Sequence, residues 1–121
     1  MQKLELLAPA KNLECGMTAI SHGADAVYIG ASRFGARAAA GNSLDDILQL
    51  CEYAHQFGAR VYVTINTIIY EDELAATKEM LEALNTIGVD ALLVQDMGIL
   101  ELIEHWDAKV PFRMELHAST Q

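Results

Sequence analysis

Basic residues are scarce in this chain: 8 Lys and Arg stand against 17 Asp and Glu in 121 residues, a formal net charge of −9. A surface of that sign repels phosphate backbones, which excludes electrostatic nucleic-acid binding by this segment and sends any RNA contact to basic surface elsewhere. Long apolar runs are missing too. No stretch reaches the roughly 18 residues that a membrane-spanning helix needs, and the N-terminus has no charged-then-apolar leader layout, so no membrane contact and a cytoplasmic location are expected. The two cysteines, Cys15 and Cys51, lie 36 positions apart with no Cys-x-x-Cys spacing, and both read as buried, reduced thiols. No His-Glu-x-x-His, Gly-x-Ser-x-Gly or Walker sequence occurs, which leaves metalloprotease, serine-hydrolase and nucleotide-hydrolase mechanisms without local support.

What the chain does have is a repeat. Gly23-Ala-Asp-Ala-Val-Tyr-Ile, Gly58-Ala-Arg-Val-Tyr-Val and Gly88-Val-Asp-Ala-Leu-Leu-Val each run from a glycine into a short apolar strand, at spacings of 35 and 30 residues. That spacing is the length of one strand, one helix and two loops. Each glycine suits the position just past a helix, where the backbone turns left-handed. With 52% hydrophobic residues the chain can bury one core.

Leu4 to Ala8 reads as a first strand ended by Pro9, and Asn12 as the cap of a helix to about His22. Ala26 to Ile29 is a second strand, followed by a 13-residue connection from Gly30 to Asn42. Ser43 with Asp46 makes a capping-box-like start for a helix to Phe57, and Arg60 to Ile65 is strand three. From Asp72 to Ile87 the spacing of Leu74, Met80, Leu81, Leu84 and Ile87 is helical. Ala91 to Val94 is strand four, Asp96 to Trp106 a helix, and Pro111 to about Ala118 a fifth strand.

Strict alternation of strand and helix predicts parallel strands, in an open doubly wound sheet or in part of a (β/α)8 barrel. The barrel is favoured. No Gly-x-Gly-x-x-Gly turn follows the first strand, where Ala8-Pro9-Ala10-Lys11-Asn12 stands instead. The strands also alternate: Tyr62, Thr64 and Asn66 against Val61, Val63 and Ile65, and Glu115, His117, Ser119 and Gln121 against Met114, Leu116 and Ala118. An apolar face toward helices and a polar face toward a lumen suit a TIM-type barrel, here about four βα units plus a fifth strand. Glu5 and Tyr28 fall in the same phase of their strands.

Active sites in such barrels lie at the C-terminal ends of the strands, which here carry Ala8, Pro9, Gly30, Thr64, Asn66, Gln95, Asp96, His117, Ser119, Thr120 and Gln121. His117 suits an acid/base or a ligand, or else a histidine satisfied by a neighbouring carbonyl. Asn66 and Gln95 suit orientation of a substrate or the capping of loops, and Asp96 a helix cap. Glu5 and Glu115, expected deep in the lumen, either pair with an arginine or bind substrate. Arg33 and Arg37 lie in the long connection and suit a carboxylate or phosphate clamp, or a solvated loop. His22, His55 and His105 fall at helix ends, where a cation favours the macrodipole.

Leu4-Glu-Leu-Leu-Ala-Pro-Ala, Gly23-Ala-Asp-Ala-Val-Tyr-Ile-Gly, Phe34-Gly-Ala-Arg, Val63-Thr-Ile-Asn-Thr, Asp90-Ala-Leu-Leu-Val-Gln-Asp-Met-Gly and Leu116-His-Ala-Ser-Thr-Gln carry a resemblance over nearly the whole chain. They resemble the opening half of the collagenase-like peptidase family, number thirty-two of the class of unknown catalytic type. Phe34-Gly-Ala-Arg, Val94-Gln-Asp-Met-Gly-Ile-Leu-Glu and His117-Ala-Ser-Thr-Gln are most similar to bacterial members that hydroxylate a cytidine of large-subunit ribosomal RNA.

The resemblance implies a cytosolic bacterial protein, oxygen-independent hydroxylation, a [4Fe-4S] cluster and prephenate as the source of the hydroxyl group. Relatives that modify a transfer RNA wobble uridine, hydroxylate a quinone precursor or carry only a peptidase label keep other readings open: a transfer RNA hydroxylation protein, a protease, or a non-catalytic assembly module. The family's cluster-binding cysteines lie downstream of the matching region, and Cys15 and Cys51 do not match them. The chain is therefore expected to be one domain, residues 1–121, forming the N-terminal part of a longer barrel protein, with cluster and RNA contacts in the remainder and no activity alone. Five strands cannot close an eight-stranded barrel, so exposed edges imply self-association.

Overall fold

A computed structural model describes residues 5–31, 43–65, 74–94, 103–104 and 111–118. Its elements, in chain order, are β1 (Leu7–Ala10), α1 (Leu13–Ser21), β2 (Ala26–Gly30), α2 (Leu44–Gln56), β3 (Arg60–Ile65), α3 (Leu74–Ile87), β4 (Ala91–Val94) and β5 (Glu115–Ala118). All neighbouring strands are parallel, and the sheet order is β1-β2-β3-β4-β5. That order rejects the doubly wound alternative, in which the strand sequence reverses at a switch point. With each next strand added on the same side, α1, α2 and α3 pack against one core on one face of the sheet, as in a barrel wall.

Asn12 caps α1 by accepting the Cys15 N–H at 2.8 Å, and Ser43 caps α2 by accepting the Asp46 N–H at 3.1 Å. These satisfy amides that a helix start leaves without partners. The three repeat glycines have φ of +102°, +72° and +102° at Gly23, Gly58 and Gly88. At Gly23 and Gly58 a methyl group would meet nothing within 4 Å, so the backbone conformation, not crowding, demands glycine there.

Two residues after Gly23 and Gly88 the repeat places an aspartate, and both do the same work. Asp25 donates its N–H to the Leu6 carbonyl at 2.9 Å and accepts the Leu6 N–H on Oδ2 at 2.9 Å. Asp90 donates its N–H to the Val61 carbonyl at 3.0 Å and accepts the Val61 N–H on Oδ2 at 2.8 Å. Each aspartate thus pins the start of its strand to the strand before and sets the register. The middle repeat carries Arg60 instead, whose side chain turns to the polar face.

The first strand departs from expectation: it begins at Leu7, not Leu4, and runs through Pro9. Ala26 donates to the Leu6 carbonyl, so the backbone groups that pair with β2 belong to even-numbered residues and the Pro9 nitrogen faces the open edge. No ladder bond is lost there.

The core lies between sheet and helices. Val27, Ile29, Val61, Val63, Leu92 and Val94 from the strands meet Ile20, Ile47, Leu50, Ala54, Leu81 and Leu84 from the helices. The expected α3 stripe is confirmed at Met80, Leu81 and Leu84, with Ile87 packed against the same core. Asn85, the buried polar side chain of α3, donates to the Pro111 carbonyl at 2.9 Å and accepts the Arg113 N–H at 2.8 Å, anchoring the chain that leads into β5. Cys51 is buried as expected, and its thiol is pushed up to about 12, first by burial and then by the Asp90 and Glu52 charges. Cys15 is exposed, contrary to expectation. The buried positions of α1 are Gly16 and Ile20, one turn apart, and Cys15 falls to the side of that stripe.

Candidate functional site

Strand alternation sends Tyr28, Tyr62, Leu93, Glu115 and His117 to the sheet face opposite the helices. Pairing aligns them in two lines. Pro9, Tyr28, Tyr62, Ala91 and Glu115 share one line of register, and Gly30, Thr64, Leu93 and His117 the next, nearer the C-terminal rim. Ala26, Tyr62 and Ala91 form a small buried cluster on this face, with Tyr28 and Leu93 packed against it.

On that floor stands a charged network. Arg60 donates to Glu115 Oε2 at 2.6 Å, and Glu115 Oε1 lies 3.2 Å from His117 Nε2. The Arg60 guanidinium sits over the Tyr62 ring, 5.3 Å from its centroid. The Tyr62 ring packs against the His117 imidazole at 5.4 Å, and its hydroxyl donates to Glu5 Oε2 at 3.2 Å. Hydrogen bonding from His117, then from Arg60, holds the Glu115 carboxyl below its ordinary range, and the Glu115 hydrogen bond holds the Arg60 guanidinium above its own. Burial raises the Tyr62 phenol.

Of the residues expected at the site, the structure brings Glu5, Glu115 and His117 to this one network. Glu115 takes the arginine partner that was one of its two readings. Neither glutamate is deep: Glu5 is exposed and the Glu115 side chain is 57% accessible, because the described strands leave the polar face open to water. Asn66, Gln95, Ser119, Gln121, Arg33 and Arg37, with Asp96, Thr120 and His105, lie outside the described residues. His55 ends α2 as expected but also holds Asp90 Oδ2 at 2.9 Å, and His22 follows the end of α1.

Arg60 and Tyr62 were not singled out as site residues, although the Arg that breaks the Gly-x-Asp repeat was a visible signal. A cavity of about 430 Å³ lies at the rim of β1 to β3, lined by Pro9, Gly30 and Thr64 of the expected strand-end rim together with Ala10, Lys11, Cys15 and Tyr28. Its surface is mostly apolar, with Lys11, the Cys15 thiol, the Tyr28 phenol and the Thr64 hydroxyl among the lining groups. It adjoins the register line of His117.

Among the described residues no group of three or more His, Cys, Asp or Glu is placed to hold a metal ion. A [4Fe-4S] cluster takes four thiolates. With Cys15 exposed on the rim and Cys51 buried in the helix layer, the described residues do not fit one. Among them, also, no helix is long and apolar enough to cross a membrane.

The family model of peptidase family U32 matches residues 11–121. The chain belongs to that family. The first of its curated relatives is the 23S rRNA 5-hydroxycytidine C2501 synthase of Escherichia coli K12, 53% identical over 98% of this chain and 17% of the relative. An uncharacterised protease of Methanocaldococcus jannaschii is 38% identical over 100% of the chain and 28% of its own length. A tRNA hydroxylation protein of Bacillus subtilis is 37% identical over 99% of the chain and 28% of its own length. The chain therefore spans between about a sixth and just over a quarter of these family members. Among solved structures, phosphonopyruvate hydrolase with oxalate and Mg²⁺ superposes with a TM-score of 0.56 at 16% identity, over 97% of this chain and 46% of that one. This likeness concerns the fold alone, and it fits a partial TIM-type barrel.

Proposed function

We propose that the chain is the N-terminal barrel portion of a protein that hydroxylates a cytidine of 23S ribosomal RNA without using oxygen. The observation that carries this reading is the 53% identity, across 98% of the chain, to the E. coli 5-hydroxycytidine synthase, against 37% to the B. subtilis tRNA hydroxylation protein. The polar face supports it chemically: His117 is a general acid/base or acceptor beside a fixed carboxylate, at the strand ends where barrels bind substrates. The cavity at the rim of β1 to β3, two strands from His117, has room for a small molecule, for which prephenate is the proposed hydroxyl donor.

In this reading the [4Fe-4S] cluster and the basic surface for RNA belong to the part of the protein beyond this chain, whose net charge of −9 disfavours RNA. The proposed setting is the cytoplasm. The test is mass spectrometry of ribosomal RNA nucleosides from the source organism with and without the full-length gene. Loss of 5-hydroxycytidine on deletion, and its return with the gene, is the expected result; an unchanged nucleoside profile overturns the assignment.

A further inference from the structure

A side chain at the end of a strand keeps one ring orientation only if its surroundings hold it. Around His117 they form a closed circuit: Arg60 to Glu115 at 2.6 Å, Glu115 to His117 at 3.2 Å, imidazole to Tyr62 ring at 5.4 Å, and Tyr62 ring to Arg60 at 5.3 Å. Tyr62 is only 4% accessible, so it is the fixed wall of the circuit.

We infer that Glu115, anchored by Arg60, is the positioning residue for His117, taking the Nε2–H and leaving Nδ1 as the bare nitrogen offered to the bound ligand. The inference rests on the reading of His117 as a functional group and adds which of its nitrogens acts and what sets it. An ionised carboxylate only accepts hydrogen bonds, so a contact from Glu115 Oε1 to Nε2 requires the ring proton to be on Nε2. The neutral ring then carries its lone pair on Nδ1. Among the described residues Nδ1 has no hydrogen-bond partner, whereas Nε2 is committed to Glu115. Arg60 does for Glu115 what Glu115 does for His117: it binds the second oxygen and holds the carboxylate in this orientation. A lone pair on Nδ1 recognises a hydrogen-bond donor, so the group it meets on the ligand is an amine or a hydroxyl rather than a carbonyl or carboxylate.

The test is the tautomer itself, measured on the full chain with ¹⁵N-labelled histidine by long-range ¹H–¹⁵N correlation above the imidazole titration range, at about pH 8.5. His117 is assigned by the resonance lost in His117→Gln. A proton on Nε2 is expected in the unmodified chain. Glu115→Ala is expected to shift both ring nitrogens toward the tautomer mixture of free imidazole, and Glu115→Gln, whose amide oxygen still accepts, to restore most of the difference. A proton on Nδ1, or nitrogen shifts that Glu115→Ala leaves unmoved, overturns the inference. The other three histidines report the fold; if Glu115→Ala disturbs them, Arg60→Met, which frees Glu115 without deleting it, is judged by the same criterion. Failure of the functional reading has a different signature: nucleoside hydroxylation by the full-length protein that survives His117→Ala while the tautomer is as expected.

Discussion

Removing the carboxylate of Asp90 should cost far more than removing that of Asp25, although the two occupy the same place in the repeat. Asp90 Oδ2 accepts from the Val61 N–H and from His55, and Val61 has no accessible surface. Asp90→Ala strands that N–H where water does not reach it, a loss of about 1–3 kcal/mol for a buried donor, to which the lost charge-assisted bond contributes. The Leu6 N–H held by Asp25 is exposed, and water replaces the carboxylate there, so the loss of that bond in Asp25→Ala should cost under about 1 kcal/mol. Asp90→Asn keeps an oxygen for Val61 and should fall between. Urea unfolding followed by circular dichroism reads these differences directly: with a slope near 1–3 kcal/mol/M, Asp90→Ala should lower the midpoint by about 1 M and Asp25→Ala by a few tenths. Equal losses for the two alanine variants would refute the view that solvent access at the pinned N–H decides the cost.

The thiols should behave oppositely to a disulfide thiol reagent: Cys15 reacts in the native chain, while Cys51, buried and pushed up to about 12, reacts only in denaturant. Two fast thiols in a native titration would contradict this. Gly16→Ala should destabilise by about 1–2 kcal/mol, since the new methyl would meet Leu50 Cδ1 at 2.8 Å across the α1–α2 contact, and thermal melting would show it. Glu115 has its carboxyl lowered from 4.5 in the folded chain, so its contribution is present above the unfolded value and is lost as pH falls through the folded one. Stability measured between about pH 5 and pH 3 should therefore fall less steeply in Glu115→Gln than in the unmodified chain; identical slopes would count against the network.

Periodicity and capping residues by themselves determined where α1 begins, where β2, β3 and β4 run, and that the strands are parallel, because these follow from local rules: left-handed glycines, side-chain oxygens for helix amides, and an apolar face every second residue. The alternation of Val61, Val63 and Ile65 with Tyr62 and Thr64 also marked the face on which His117 and Glu115 would be found. Only the tertiary structure decided the rest. The choice of the sequential strand order over the doubly wound one, the passage of β1 through Pro9 and the exposure of Cys15 depend on which element lies beside which. So does the grouping of Arg60, Tyr62 and Glu5 with Glu115 and His117, because no sequence spacing relates Glu5 to Tyr62 or Arg60 to Glu115, 57 and 55 positions apart. Parallel pairing brings strands together through crossovers of arbitrary length, and it is that register, not the chain's local rules, that makes neighbours of such residues.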